Sequence, residues 1–342
     1  MKQPLSIVIP VKNRPGLITR CLDSVRSQTY RPIRIIVVDN ASTDNTRDVV
    51  EEWRMRNSDP ELSLLLLSEE KPGAAAARNR GLAAVETTRM MFFDSDDRML
   101  PDLTMTVMEE FDRHPDLDLI YWRTAYINER EEVIPRRFAR MDLIKRHIYN
   151  AVLPTVSYAL RTDFIRRIGG WDDSLRVWDD WELGLRLLTA RPNMKGIFRT
   201  LVHIYPQRES ITGTDFHSRA GQWEKAIEKM EVHADTLPEP LRTRILRMLL
   251  YRRINLSALY TLEGHPELSA PTLKFINNPL QITPEFSTLN SPHPSDSSQS
   301  EFSTFNFQLS IFNSLPSWRK KLLRLIHAYT SRGGRAAYLL WY

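Results

Sequence analysis

One stretch, Met-Met-Phe-Phe-Asp-Ser-Asp-Asp at residues 90–97, joins a fully apolar run to three carboxylates. Four consecutive apolar residues leave no polar face for water, which is typical of a strand in a parallel sheet that is covered on both sides. Residues 33–38, Ile-Arg-Ile-Ile-Val-Val, have nearly the same character. The two runs predict a parallel sheet with core on both faces.

Outward from these runs, the chain repeats one pattern. Apolar runs begin near residues 5, 34, 62, 89 and 117, at intervals of 27 to 29 residues, which is the length of a strand, a helix and their loops. Segments between the runs carry apolar residues at helical spacing: Ile18, Cys21, Leu22 and Val25; Val49, Val50 and Trp53, after the capping candidates Ser42 and Thr43; and residues 74–77 and 82–85. The pattern predicts a doubly wound α/β fold.

Composition sets the class of protein. The chain has 342 residues, of which 42% are apolar and 26% charged, close to globular averages. Its single cysteine, Cys21, excludes an internal disulfide and a cysteine-based zinc site. No run approaches the roughly 20 apolar residues of a membrane-spanning helix, and the first apolar run is too short for a signal-peptide core. These features predict a cytoplasmic protein.

Four regions follow from shifts in composition. They are an α/β domain over residues 1–213, a helical extension over 214–282, a Ser/Pro-rich flexible linker over 283–315 and a basic amphipathic helix over 316–342. The net charge of +5 is concentrated at 241–260 and 316–342, which contain eleven bases and no acid. The last helix either contacts an anionic membrane or docks on the catalytic domain, and the bases of 241–260 either meet a phosphorylated lipid carrier or coat a solvated helix face.

Three predicted strands end in polar residues: Pro10-Val11-Lys12-Asn13-Arg14, Asp39-Asn40-Ala41-Ser42 and Asp94-Ser95-Asp96-Asp97. Because ligands of open α/β sheets bind beyond the carboxyl ends of the strands, we expect these ends to meet in one crevice. The three clustered carboxylates indicate a hard divalent cation, Mn²⁺ or Mg²⁺, that holds a diphosphate. An acidic loop that caps the helix beginning near Pro101 is the alternative. No glycine-rich phosphate loop of Rossmann or Walker type occurs.

These motifs resemble those of a known family. The segments are SIVIPVKNR at 6–14, VDNASTD at 38–44, ARNRG at 77–81, FDSDD at 93–97, GGWD at 169–172 and DDWELGLRL at 179–187. They are similar, in order and spacing, to family 2 glycosyltransferases of the GT-A fold. The resemblance implies transfer of a sugar from a nucleotide donor, expected to be UDP-linked, to a glycan or lipid-linked acceptor in polysaccharide or lipopolysaccharide synthesis, with no nucleic-acid partner.

The resemblance also implies roles for single residues. Nucleotide-binding residues would be Pro10, Val11, Asn13, Asp39, Arg78 and Asp94. Asp94 and Asp96 would bind the metal, Asp97 would lie near the donor sugar, and Asp180 would be the catalytic base. One base and one metal suffice for direct displacement with inversion, because the metal neutralises the leaving diphosphate while the base takes the hydroxyl proton.

Several positions leave alternatives open. Asp179 stands where the family usually has glutamate, which leaves either Asp179 or Asp180 as the base; the alternative is that both acids are helix N-terminal charges. Asn40 replaces a frequent aspartate, and Gln207 stands where many relatives carry a metal-binding histidine, from which His203 is offset.

The tryptophans either stack on sugar or belong to the core: Trp122, Trp171, Trp178 and Trp181. A nucleotide-sugar-binding scaffold without activity is the alternative function; a nucleotidyltransferase would need a glycine-rich loop.

Overall fold

A single mixed sheet runs through the N-terminal part of the chain. Its strands are β1 (Leu5–Val11), β2 (Ile33–Asp39), β3 (Leu62–Ser68), β4 (Arg89–Phe92), β5 (Arg98–Met99), β6 (Leu119–Ile127), β7 (Val133–Pro135), β8 (Tyr158–Arg161) and β9 (Met194–Ile204). Their order across the sheet is β3-β2-β1-β4-β8-β6-β9-β5, and β7 pairs with β6. Strands β3, β2, β1 and β4 are parallel, with Leu5 opposite both Ile33 and Arg89. β8 pairs antiparallel with β4 and β6.

The computed structural model describes residues 2–128, 130–135, 142–205 and 215–277. It divides the chain into two compact units, Met1–Ser210 and Ile211–Tyr342. The predicted linker at 283–315, the predicted basic helix at 316–342 and Gln207 lie outside the described residues, and the boundary after residue 213 stays a prediction.

Helices cover the sheet. In the first unit they are α1 (Pro15–Arg26), α2 (Thr46–Arg56), α3 (Ala74–Ala83), α4 (Leu103–Arg113), α5 (Leu143–Asn150), α6 (Thr162–Arg167) and α7 (Asp179–Thr189). Ile7 and Ile9 point into one hydrophobic cluster, and Val8, from the same strand, into the other. Core on both faces is what the apolar runs predicted. The doubly wound, mostly parallel sheet is confirmed.

The capping prediction for α2 is wrong. The helix begins at Thr46, and the side chain of Asp44 accepts a hydrogen bond from the Thr46 backbone N–H at 2.9 Å. Ser42 and Thr43 instead bond to Asn13: Ser42 Oγ accepts from the Asn13 N–H, and the Thr43 N–H donates to Asn13 Oδ1. These two residues join neighbouring loops at the strand ends and do not cap a helix.

The second unit is helical, as the composition predicted, and contains α8 (Gln222–Asp235), α9 (Leu241–Leu262) and α10 (Pro266–Asn277). Arg242 pairs with Asp235 at 2.8 Å, and Arg253 pairs with Glu231 at 2.6 Å. Bases of the acid-free run are therefore partly neutralised by acids of the neighbouring helix. Among the helices that the structure describes, none has the length and apolar character needed to cross a membrane.

Candidate active site

Asp39 is the last residue of β2 and lies opposite Val11 in the sheet register. Its side chain is buried, with 6% of the residue exposed, and Asp39 Oδ1 has no hydrogen-bond partner within the described residues. An unpartnered buried carboxylate oxygen is costly unless a ligand supplies a donor. Pro10 and Val11, which flank this position in β1, are buried strand residues. This end of the sheet therefore offers an acceptor for an N–H group.

Two asparagines shape the loops around Asp39. Asn13 ties the loop after β1 to Thr43, at 2.8 Å, in the loop after β2. Asn40 is buried and donates from Nδ2 to the backbone oxygens of Glu69 and Lys71, while its Oδ1 accepts from the Gly73 N–H, each at 2.8 Å. An aspartate could not donate the first two bonds, so asparagine at this position holds the loop that leads into α3.

The acid loop, residues 94–97, follows β4. Asp96 Oδ2 lies 2.5 Å from Arg14 Nη1, and Asp97 Oδ1 accepts from the Tyr205 N–H at 3.0 Å. Arg20 donates to the backbone oxygen of Asp96 and stacks on the Tyr205 ring. Helix α4 begins at Leu103, and its cap residue, Asp102, makes no side-chain capping bond. These partners do not support the alternative that the acids cap that helix.

Electrostatic repulsion marks the acid loop. Burial, and then the charge of Asp94, raise the pKa of Asp96; the same causes, with Asp96 added, raise the pKa of Asp97 well above its usual range. A divalent cation would relieve this repulsion, and carboxylate oxygens are the ligands that Mg²⁺ and Mn²⁺ prefer. The donor set fits such an ion, although the described residues contain no ready-made group of three metal-ligating side chains.

Arg78, on α3, connects the acid loop to α7. Its Nη2 lies 2.8 Å from Asp94 Oδ1, and its Nη1 lies 2.8 Å from Asp179 Oδ2. The guanidinium stacks over the Trp171 ring at 4.3 Å, and only 8% of the side chain is exposed. Burial alone would lower the pKa of Arg78, but the Asp94 and Asp179 carboxylates raise it, so the side chain stays charged.

Asp180 is the second residue of α7, and its Oδ1 accepts the Trp181 N–H at 2.8 Å. No ion pair holds Asp180 within the described residues, whereas Asp179 is committed to Arg78. Burial, and then the charge of Asp179, raise the pKa of Asp180 to about 6. A carboxylate with a pKa near the working pH is well suited to accept a proton. Of the two acids, Asp180 has the properties of a general base.

The other polar residues of the segment at 179–187 hold the fold together. Glu182 forms a double ion pair with Arg186, at 2.6 and 2.7 Å, and Arg186 also donates to the backbone oxygens of Ile168 and Gly170 at 2.8 Å. These bonds fix the turn before Trp171 to α7. Gly184 is required because a Cβ there would lie 2.3 Å from the ring of His147.

The tryptophans are mostly core. Trp122, Trp171 and Trp181 are 0 to 3% exposed, so the sugar-stacking alternative is wrong for these three. Trp178 is half-buried and packs against Trp181 at 5.5 Å between ring centroids. It stays a candidate for contact with a sugar.

Sequence analysis missed Tyr158, the first residue of β8. The side chain is fully buried, and its hydroxyl has no hydrogen-bond partner within the described residues. The charges that act on it are those of Arg78, Asp180, Asp94 and Asp179. Arg14 and Arg20 were missed as partners of the acid loop. Arg14 is the last residue of the segment at 6–14 and Arg20 lies in α1, but neither position indicates a partner in the acid loop.

Comparison with known proteins identifies the class. Residues 6–168 match the family described as Glycosyl transferase family 2. The matched segment includes Asp39, Arg78 and the acid loop, and it ends before α7. The match covers just under half of the chain and confirms the predicted resemblance of this part to family 2 glycosyltransferases.

Three relatives illustrate the range of the family. Glycosyltransferase GlyA of Streptococcus pneumoniae is 33% identical over 106 residues, covering 31% of this chain and 15% of that protein. An uncharacterized glycosyltransferase of Haemophilus influenzae is 27% identical over 240 residues, covering 67% and 76%. The GalNAc(5)-diNAcBac-PP-undecaprenol beta-1,3-glucosyltransferase of Campylobacter jejuni is 29% identical over 106 residues, covering 31% and 34%. The chain thus spans only a minor part of two of these relatives.

Solved structures share the fold. TarS 1-349 of S. aureus in complex with UDP-GlcNAc aligns with a TM-score of 0.60 and 17% identity, over 98% of this chain and 89% of that one. The mannosyltransferase PcManGT of Pyrobaculum calidifontis, in complex with GDP-Man and Mn²⁺, aligns with a TM-score of 0.54 and 15% identity, over 92% and 86%. At this identity the likeness is one of fold.

Proposed function

We propose that the protein transfers a sugar from a UDP-linked donor to a hydroxyl group of a glycan or lipid-linked acceptor, with inversion at the anomeric carbon. The observation that carries the proposal is the Arg78 bridge, which joins Asp94 of the acid loop to Asp179, the immediate neighbour of Asp180. One contact network thereby contains a carboxylate suited to hold the cation that binds the donor phosphates and adjoins a carboxylate suited to deprotonate an acceptor.

The donor nucleotide would bind at the ends of β1 and β2. Asp39 Oδ1 is buried and unpartnered within the described residues, so it can accept an N–H of the base, beside Pro10, Val11 and Asn13. A uracil ring presents such an N–H. The UDP-GlcNAc complex of the S. aureus protein with the same fold supports a UDP-linked donor. Asp97, at the far end of the acid loop, would lie near the donor sugar.

The donor diphosphate would bind through Mn²⁺ or Mg²⁺. Asp94 and Asp96 would hold the ion, and the Mn²⁺ complex of the mannosyltransferase with this fold supports that choice. When bound, the ion neutralises charge that develops on the leaving diphosphate. Arg78 would lie beside the same phosphates, because one of its nitrogens already contacts Asp94.

Asp180 would act on the acceptor. Its carboxylate takes the proton of the acceptor hydroxyl while the hydroxyl oxygen forms a bond to the anomeric carbon. The bond between that carbon and the diphosphate oxygen breaks with its electron pair leaving on the diphosphate. Attack from the face opposite the leaving group inverts the anomeric configuration, and no second carboxylate is needed.

A lipid-linked acceptor is favoured by the C. jejuni relative, whose name specifies an undecaprenol-linked substrate. Such an acceptor would place the reaction at the cytoplasmic face of a membrane, where residues 316–342, with six bases and no acid, would contact anionic lipid. Cell fractionation of a chain that ends at residue 315 tests this placement. We expect loss of membrane association; unchanged association would exclude the lipid-contact role of 316–342.

Calorimetric titration tests the donor site. UDP and GDP are added to the purified protein with Mn²⁺ and, separately, with a chelator, and the measurements are repeated for Asp96→Ala. Asp163→Ala is the matched control, because Asp163 is an exposed acid paired with Arg161 and Arg167 on the protein surface.

We expect UDP to bind only with Mn²⁺ and the binding to weaken in Asp96→Ala but not in Asp163→Ala. Absence of binding by either nucleotide to folded protein would contradict the donor assignment. Metal-dependent binding without sugar transfer to any acceptor would favour the scaffold alternative.

A further inference from the structure

Asp179 has no part in the chemistry proposed above, yet it makes one of the best-formed ion pairs of the site. Its Oδ2 lies 2.8 Å from Arg78 Nη1, and its side chain is 20% exposed. The partners are 101 positions apart in the sequence, so this is a contact between distant parts of the chain. A pair so far apart in sequence and so enclosed holds two elements, α3 and α7, in a fixed relation.

The guanidinium that Asp179 holds is immobilised from three sides. Asp94 takes the second Nη nitrogen, and Trp171 covers one face of the guanidinium plane at 4.3 Å. Trp171 is itself fixed by Asn79, which follows Arg78 in α3: Asn79 Oδ1 accepts from the Trp171 N–H and Asn79 Nδ2 donates to the Trp171 backbone oxygen, both at 2.9 Å. The position of the Arg78 charge is therefore set by Asp94 on the donor side of the site and by Asp179 on the acceptor side.

We infer that Asp179 is a positioning residue: it anchors Arg78 so that one guanidinium bridges the donor-side acid Asp94 and the helix that carries the base Asp180. This inference rests on the proposed function and deepens it. It assigns Asp179 a role distinct from that of a base or a helix-end charge. Through Arg78, loss of the Asp179 carboxylate alters donor binding, and loss of the Arg78 charge alters the base.

The charged and titratable groups that act on Asp180 come from three other parts of the chain and from its own helix. They are Asp179 on α7, Arg78 on α3, Asp94 after β4 and Tyr158 on β8. Helix α5, which packs against α7, carries His147. Nε2 of the His147 ring forms a hydrogen bond with the Trp181 backbone oxygen at 2.8 Å. The two strongest charge effects oppose each other, because Asp179 raises the pKa of Asp180 and Arg78 lowers it.

Opposite shifts in a pH profile test the inference. The acid limb of kcat/KM, set by the base, is measured for the unsubstituted protein, Asp179→Asn, Arg78→Gln and the surface control Asp163→Asn. Asp179→Asn removes a like charge, so its limb moves to lower pH; Arg78→Gln removes an opposite charge, so its limb moves to higher pH. A role limited to packing would move neither limb.

Donor affinity gives a second readout that needs no turnover. Titration of UDP with Mn²⁺ into Asp179→Asn should show binding weakened by a factor of about 5 or more, because Arg78, released from α7, competes with the ion for Asp94. Asp179→Glu keeps a carboxylate at this position and should restore both the affinity and the acid limb. This conservative variant also keeps the test valid if Asp179→Asn unfolds.

The outcomes separate the inference from the proposed function. Limbs that shift in opposite directions, with weaker UDP binding in Asp179→Asn and recovery in Asp179→Glu, support the inference. Unmoved limbs and unchanged affinity in an unsubstituted protein that transfers sugar overturn the inference alone. Absence of transfer by the unsubstituted protein overturns the proposed function together with the inference.

Discussion

The donor-side half of the site and the acceptor-side half use buried polar residues in different ways. On the donor side, Asp39 lies at the end of β2 with a buried oxygen that no described residue satisfies. On the acceptor side, Glu182, Arg186 and His147 are buried or nearly so, and each is engaged by partners of the protein. Binding groups therefore keep a hydrogen-bonding atom available for a ligand, whereas scaffold groups use their hydrogen-bonding atoms in contacts within the protein.

Asp180 is the proposed base and lies beside both binding groups and scaffold groups. Its replacement should therefore have the largest effect on activity. Asp180→Asn keeps the size of the side chain and removes the proton acceptor, so we expect kcat to fall by about 10² to 10⁴ with donor affinity unchanged. Steady-state transfer assays and UDP titration measure the two quantities. Asp163→Asn is the control. A variant that retains most of its turnover would exclude Asp180 as the base.

Arg186 tests the scaffold half. Arg186→Met leaves the buried Glu182 carboxylate without its cation, and breaking a buried pair in this way costs about 3 to 5 kcal/mol of unfolding free energy. Urea denaturation measures the loss. The double variant with Glu182→Leu should recover much of the stability, because no uncompensated charge remains. Equal stability of Arg186→Met and the unsubstituted protein would mean that this pair does not hold α7.

Asp39 tests the binding half. Asp39→Asn should weaken UDP binding by about tenfold or more, since a hydrogen bond to a charged group contributes about 1.5 to 3 kcal/mol. It should leave the unfolding free energy nearly unchanged, because Oδ1 has no protein partner to lose within the described residues. Calorimetry and urea denaturation give the two values. The reverse pattern, intact binding with lost stability, would assign Asp39 to the scaffold.

Tyr158 is an exception to the comparison, because its buried hydroxyl, on the acceptor side, has no hydrogen-bond partner among the described residues. Tyr158→Phe keeps the ring in the core and removes this hydroxyl. We expect the unfolding free energy to stay the same or rise by about 1 kcal/mol, the smallest effect of the series. Thermal and urea denaturation measure it. Destabilisation would mean that the hydroxyl is satisfied in solution, and the exception would disappear.

The donor half was predictable because its signals are local. Each strand of β1 to β4 is a short apolar run, and the acids of residues 94–97 follow β4 directly. Parallel pairing then brings the strand ends to one edge. The register of β1 with β2 places Val11 opposite Asp39, as the expected crevice requires.

The acceptor half was less predictable because its contacts are distant in sequence. β8 has four residues and pairs antiparallel between β4 and β6, a placement that no periodicity reports. Arg78 and Asp179 are adjacent only after the whole sheet has formed. The motif at 179–187 identified the helix, but its sequence cannot show that Glu182 and Arg186 satisfy each other while Asp180 has no ion-pair partner among the described residues.

A crystal structure of the protein with UDP-GlcNAc and Mn²⁺ tests the central claim most directly. We predict a uracil N–H on Asp39 Oδ1, the ion on Asp94 and Asp96, and the anomeric carbon between the β-phosphate and Asp180. Such a complex would join the donor and acceptor halves around one reacting bond. Uracil bound away from Asp39, or a sugar with its diphosphate between the anomeric carbon and Asp180, would contradict the account.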